Sequence, residues 1–262
     1  MSLTWSSKRK LNYFLVFFGL FLVGSFILIR PYFNKEPTCF DRKQNGDESG
    51  VDCGGSCLLS CVAENYNLVT LWSRAFPVDD GNYNMMAYIE NQNRESGIAR
   101  ISYEFRAYDE ENIFLGRKEG STFITSNDRT AIFEPALLAG NRTPARVDFN
   151  FTSVPVWLKI NREQRNALSL SVQDKVISNV FEYPKISANI VNSTLINMKN
   201  VDVLAILYDE EDNVINVSKT FVPNLPKNSK LPIVFTWPES LGKTPSRIDI
   251  FPQVNIFELG QQ

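Results

Sequence analysis

Two kinds of apolar pattern occupy this chain, and they do not overlap. From Leu11 to Ile29 the residues are predominantly apolar on every face that a helix would present, with no charge inside the run. Lys8, Arg9 and Lys10 precede it, and Arg30 and Pro31 close it. About nineteen residues in a helix span roughly 30 Å, the hydrocarbon thickness of a bilayer. A cleaved signal peptide would have a shorter apolar region, of about 7–15 residues, ending at a small-x-small site. Ile27, Leu28, Ile29 and Arg30 offer no such site. The pattern therefore predicts an uncleaved transmembrane signal-anchor over 11–30. The cationic cluster puts residues 1–10 in the cytosol, with 31–38 as a short stalk and the remainder of the chain outside.

Beyond residue 60 the pattern changes to period two. In "ARISYEFRAY" Ile101, Tyr103, Phe105 and Ala107 share one face, as in a strand buried on one side. "DEEN" then reads as a turn, and "IFLGRKEGSTFI" as the returning strand. The same order recurs downstream. "AYIENQ" from Ala87 returns as "ANIVNS" from Ala188, a step of 101 residues. "FRAYDEEN" from Phe105 returns as "AILYDEEDN" from Ala205, a step of 100, and "TPARVDF" from Thr143 returns as "TPSRIDI" from Thr244, again 101. A small gap accounts for the difference. The chain is read as a tandem duplication with units near 64–160 and 166–262, joined by the polar "NREQRN". Short strands between turns, with no helical periodicity after the anchor, predict an all-β protein of two β-sandwiches with about seven strands each. Trp72, Trp157 and Trp237 are expected to pack in the core or at its edge.

The copies differ in one respect. Beside the shared apolar face, the first carries Ser102, Glu104 and Arg106, and the second Asp202, Leu204 and Ile206. A face that is polar in one twin and apolar in the other has something different against it. Leu204 and Ile206 are therefore expected at a contact, with the first unit or with a partner; a hairpin of their own unit is the alternative cover.

Composition narrows the functional classes. The chain of 262 residues is 44% hydrophobic and 12% aromatic, which suits folded protein. Its formal charge of -2 provides no basic field for nucleic acid. It has no histidine, which removes the commonest general base and metal ligand and every nucleophile pair built on one. No G-x-S-x-G, P-loop or H-E-x-x-H motif is present. The acidic turns read as solvated hairpin tips. The expectation is a non-enzyme without a small-molecule substrate. Asn141, Asn150, Asn192 and Asn216 head glycosylation sequons, which matter only in a host that glycosylates.

All four cysteines, Cys39, Cys53, Cys57 and Cys61, fall in "CFDRKQNGDESGVDCGGSCLLSC". The spacing lacks the paired C-x2-C of a zinc ribbon and the C-x-x-C of a redox site. Outside the cytosol an even number of clustered cysteines reads as two disulfides. Three pairings are open, with Cys39 expected to bond into the Cys53–Cys61 cluster. Asp41, Asn45, Asp47, Glu48 and Asp52 crowd the same stretch. Hard oxygen ligands around a glycine turn suit calcium; side chains that cap turns are the other reading.

Two resemblances rest on these residues. The cysteine stretch resembles a motif of bacterial surface proteins, C-x-D-G-x-x-N-G-x-E-x-x-x-D-C-G-G-x-C. It is matched by Cys39, Asp41, Asn45, Gly46, Glu48, Asp52, Cys53, Gly54, Gly55 and Cys57. Arg42 replaces the usual glycine, and the last cysteine interval is one residue longer than usual. Phe105-Arg106-Ala107-Tyr108-Asp109 and Ala205-Ile206-Leu207-Tyr208-Asp209 each resemble part of the motif that names the immunoglobulin-like FxLYD domain. These resemblances imply an extracytoplasmic location and a modular architecture. The expected role is a membrane-anchored envelope protein that contacts another protein or a wall polymer. A fixed subunit of a pilus or secretion assembly is the second expectation.

Overall fold

The computed structural model describes residues 5–33, 38–161, 164–165 and 169–259. Residues 34–37 of the expected stalk and part of the polar joint lie outside the described residues. Helix α1 runs Trp5–Phe33. No helix among the described residues is long and apolar enough to cross a membrane. The described side chains of α1 extend from Tyr13 to Leu28, and the run Leu11–Ile29 passes beyond them at both ends. The transmembrane anchor expected from that run is thus not established by the helix as described.

The chain divides into two compact units, Met1–Cys57 and Leu58–Gln262. The second is all-β. The first repeat holds β1 (Val69–Asp79), β2 (Asn82–Asn91), β3 (Ser96–Tyr108), β4 (Phe114–Ile124), β5 (Asp128–Leu138), β6 (Arg146–Phe151) and the short β7 (Leu158–Lys159). The second holds β8 (Leu170–Ser178), β9 (Lys185–Asn192), β10 (Met198–Tyr208), β11 (Val214–Leu225), β12 (Ser229–Thr236) and β13 (Arg247–Gln253). Each repeat forms two antiparallel sheets. They are ordered β1-β2-β5 and β4-β3-β6 in the first, and β12-β9-β8 and β11-β10-β13 in the second. The strands read from "ARISYEFRAY" and "RVDFNF" are β3 and β6.

Alternation sets the inner faces. In the first repeat Met85, Ala87 and Ile89 of β2 meet Tyr103, Phe105 and Ala107 of β3 across the core. Phe105 stacks edge-on against Phe149 of β6 with ring centroids 4.9 Å apart. In the second repeat Ile186, Ala188 and Ile190 of β9 meet Val201, Val203, Ala205 and Leu207 of β10. Trp237 joins this core, and its indole N–H donates to Asn216 Oδ1 at 3.1 Å. Trp157 is buried with Ile98, Ile101 and Ile124, and Trp72 packs at the edge of a third cluster.

That third cluster joins the repeats. Phe76 of β1, Met86 and Tyr88 of β2 and Ala131 of β5 lie against Leu204, Ile206 and Tyr208 of β10 and Val217 of β11. Leu204 and Ile206 are 1% and 0% exposed, so their cover is the first repeat. Tyr88 and Phe251 approach at 5.9 Å between centroids. With its amide oriented to match the Ala131 backbone, Gln253 accepts from the Ala131 N–H at 2.7 Å and donates to the Ala131 carbonyl at 3.1 Å. Strands β2 and β10 are buried on both faces, one toward their own core and one toward the other repeat.

Truncating a fully buried Leu or Ile to Ala costs about 2–5 kcal/mol. Leu204→Ala and Ile206→Ala are expected to lower the stability of both repeats together, as a shift of one calorimetric transition. Two separate transitions, with only the second repeat destabilised, would show that the contact does not couple the sandwiches.

Candidate functional site

The cysteine stretch is built from left-handed turns. Arg42, Gly46, Asp52, Gly54 and Gly55 all have positive φ, at 61°, 63°, 55°, 82° and 49°. Arg42 thus occupies a conformation that favours glycine. Its N–H is held by both Asp52 carboxylate oxygens at 3.0 Å. A Cβ at Gly55 would lie 2.1 Å from the Asp47 carbonyl oxygen, so the Gly-Gly pair is required by close backbone approach. Cys39 is bonded to Cys57. Cys53 and Cys61 are disulfide-bonded as well, and no cysteine is free.

The four carboxylates of this stretch accept hydrogen bonds within the turn system. Asp41 accepts from the Lys43 N–H at 2.9 Å and from the Asn45 side-chain amide at 2.8 Å. Glu48 Oε2 accepts from the Asn45 and Asp52 N–H groups, and Asp47 accepts from the Ser56 hydroxyl at 2.8 Å. Asn45 Oδ1 is buried without a hydrogen-bond partner. Among the described residues, one set of three donor atoms from Cys, Asp or Glu lies within 4.8 Å, namely Cys39, Glu48 and Cys57. Its two sulfurs are bonded to each other. Calcium takes six to eight oxygens, and among the described residues no three carboxylates of this stretch have oxygens within 4.8 Å of one another. Chelation is therefore expected to leave the protease resistance of the oxidised chain unchanged, and reduction to abolish it between residues 39 and 61. Limited proteolysis with mass mapping of the fragments checks both.

A second constellation appears twice. Asp109 and Asp209 are buried at the ends of β3 and β10. Asp109 accepts the Glu111 and Ile113 N–H groups at 3.0 and 2.8 Å, and Asp209 accepts those of Glu211 and Asn213 at 3.2 and 2.8 Å. Arg142 pairs with the first carboxylate and Lys243 with the second. Burial pushes both carboxyls upward, but the backbone donors and the neighbouring cation outweigh it and hold them below the ordinary range. The preceding tyrosines carry arginines on their rings, Arg146 over Tyr108 at 4.5 Å and Arg247 over Tyr208 at 3.9 Å. The ring packs and the carboxylate caps the turn, in both copies.

Two more residues organise each repeat, and their role was not read from the sequence. Asn91 is 1% exposed and donates to the Ser96 and Thr125 carbonyls at 2.9 and 2.7 Å. Asn192, its counterpart, is 0% exposed and donates to Ile196, Leu225 and Pro226. Both asparagines stand in the repeated segments "AYIEN" and "ANIVN"; recurrence of an amide amid apolar positions was the available signal. Asn192 and Asn216 are buried, so a glycan at either sequon is incompatible with this fold.

One cleft lies at the β2–β5 end of the first repeat and is lined by polar side chains. It measures about 450 Å³, with Glu90, Gln92, Arg94, Asp128 and Arg129 in its wall. There Gln92 and Arg129 hold the Glu90 carboxyl low, while burial raises that of Asp128. Asp128 accepts from the Arg129 N–H at 2.7 Å, and Glu90 pairs with Arg129. The two acids are thus tied down as a turn cap and an ion pair.

Burial, and secondarily the neighbouring Tyr208, pushes the Tyr88 phenol up to about 12 from an ordinary 10.0. The folded chain keeps this proton where the unfolded chain has lost it. The stabilisation is complete below pH about 10 and disappears as pH rises toward about 12. Urea midpoints measured over this window should fall more steeply for the natural chain than for Tyr88→Phe. Parallel slopes would separate Tyr88 from the alkaline loss.

No protein-family model matches this chain, and no curated protein matches it. Among solved structures, a red sea bream transglutaminase is similar at 11% identity, over 72% of this chain and 29% of that one, with a TM-score of 0.23. A β-glucuronidase from glycoside hydrolase family 2 is similar at 10% identity, over 78% of this chain and 25% of that one, with a TM-score of 0.20. The chain spans less than a third of either protein, and likenesses this remote carry no argument about chemistry.

Proposed function

We propose that the chain is a membrane-anchored, extracytoplasmic binding or structural protein of the cell envelope, presenting two immunoglobulin-like domains of the FxLYD kind to another protein or a wall polymer. The observation that carries this reading is α1. Between Tyr13 and Leu28 it exposes thirteen large apolar side chains, each 49–72% accessible. Such a surface is untenable in water and is suited to hydrocarbon. Burying a large apolar side chain is worth about 1.5–3 kcal/mol, so the set together amounts to a strong anchor. The cluster of Lys8, Arg9 and Lys10 supports a cytosolic N-terminus. The oxidised cysteines support an oxidising compartment for the chain beyond α1. The paired sheets and the repeated Tyr-Asp turn support the immunoglobulin-like assignment of each repeat.

The test is fractionation of the full chain expressed in a bacterium. It is expected to resist alkaline extraction from membranes and to require detergent, while deletion of residues 1–30 releases it. Protease added to spheroplasts should remove epitopes in both repeats. A full chain that stays monomeric in aqueous buffer without detergent would sink the anchor, and a protected C-terminal half would reverse the topology. Co-migration with one large complex in mild detergent would favour the fixed-subunit reading.

A further inference from the structure

The two repeats end in different tips. In the first repeat two residues, Asp80 and Gly81, connect β1 to β2. The equivalent connection in the second repeat, between β8 and β9, has six: Asn179, Val180, Phe181, Glu182, Tyr183 and Pro184. Phe181 and Tyr183 are 65% and 71% exposed. Their backbone is nonetheless fixed. Asn179 adopts φ 54°, and the Glu182 N–H closes a turn on its carbonyl at 3.1 Å. The Leu241 N–H donates to Val180 at 3.2 Å and the Trp237 N–H to Pro184 at 3.0 Å. Residues 237–246 are also tied to the Tyr-Asp turn, through Ser246 N–H to the Tyr208 carbonyl and Lys243 to Asp209. Three loops therefore converge at one end of the second sandwich, with two aromatic rings held outward.

The three loops carry more acid than base, with Lys243 among them and Lys185 adjoining. Glu182, Glu210, Glu211 and Glu239 are exposed on these loops. Among the described residues none of these four carboxylates has a cation within 4.0 Å. In the first repeat the matching turn is internally compensated, since Arg142 pairs with both Asp109 and Glu111. Aromatic rings on a preorganised loop are inexpensive anchors for binding, because little entropy is left to lose. Unpaired carboxylates around them favour a partner of opposite sign.

We propose that this tip is a docking surface for a protein whose apolar pocket is bordered by lysine and arginine, with Phe181 and Tyr183 as the inserted anchors. This deepens the binding role proposed above and rests on it. Wall glycan, lipid and a second copy of the chain are the competing occupants.

The test uses the full chain in its own membrane, with Tyr183→p-benzoylphenylalanine as the photoprobe and the same probe at Asp80 as the control. One protein adduct is expected at position 183 and none at 80. Its yield should fall at least tenfold with Phe181→Ser, and several-fold when salt rises from about 0.05 to about 0.5 M. The peptide joined to the probe should carry Lys or Arg. Phe181→Ser should leave Tm unchanged, because the side chain is exposed. The proposal is overturned by no adduct, by a dimer of the chain, by a lipid or glycan adduct, or by a yield indifferent to both Phe181→Ser and salt. Membrane partition is read on the same samples. Retained partition without an adduct removes the docking surface alone, whereas lost partition removes the anchor.

Discussion

The contact between Met86 and Tyr88 on one side and Leu204, Ile206 and Tyr208 on the other governs how this molecule is built. It makes β2 and β10 central strands in two senses, each contributing one face to its own core and one to the joint. Tandem sandwiches joined by a polar linker would move independently by default. Here Phe76, Met86 and Tyr88 lie buried against Leu204, Ile206 and Tyr208 between them, reinforced by the paired hydrogen bonds of Gln253 to the Ala131 backbone. The repeats therefore share a third core, and the stability of either includes the other.

That contact also accounts for where the two repeats differ in sequence. It is heterologous: the outer face of β11-β10-β13 meets the outer face of β1-β2-β5, not its own equivalent. A heterologous contact between equivalent units can propagate without limit. The surfaces that would continue it are polar. On the first repeat the equivalent of the β10 face carries Glu104, 7% exposed, between Arg106 and Arg117, with Glu119 beyond. Docking an apolar face there would strip water from an ion-pair network with nothing to replace it. On the second repeat the equivalent of the β2 face carries Asn189, bonded to Asp174, and Lys230 is paired with the same carboxylate. Edge strand β8 is further interrupted by Asp174 at φ 54°. Among the described residues, neither outward equivalent of the joint is an apolar face.

The parts that were legible in the sequence were those with one buried face. Period-two alternation marked β3 and β10, and the difference between twins singled out Leu204 and Ile206. Their partner face was not legible. "NMMAYIEN" is apolar on both sides because β2 is buried on both, and such a run shows no alternation to interpret. The pairing of Cys39 with Cys57 was one of three options that spacing could not separate. Asn91 and Asn192 were visible as recurring letters. Their task depends on carbonyls brought near by the β2–β3 and β9–β10 turns and by loops more than thirty residues away. The carboxylates of the cysteine stretch illustrate the opposite difficulty: turn capping and calcium coordination use the same residues, and only the direction of each oxygen distinguishes them.

A fused pair has a mechanical consequence for recognition. Once the joint and the cores have taken the apolar faces of the sheets, the remaining strand positions are mostly polar, with scattered exposed apolar side chains such as Leu138 and Phe221. Variation without loss of stability is then confined to the loops. The two ends of the duplication show this division. Both hold the buried aspartate that caps the turn after β3 and β10, because it satisfies backbone donors that any loop there must expose. Only the second lengthens the neighbouring connection and fills it with aromatic residues. The shared cap makes that lengthening tolerable: the carboxylate of Asp209 orders the adjacent turn, Lys243 ties the third loop to it, and the inserted residues inherit a fixed platform. The same hydrogen bonds that hold the fold at its ends thus set the geometry in which exposed side chains can become specific.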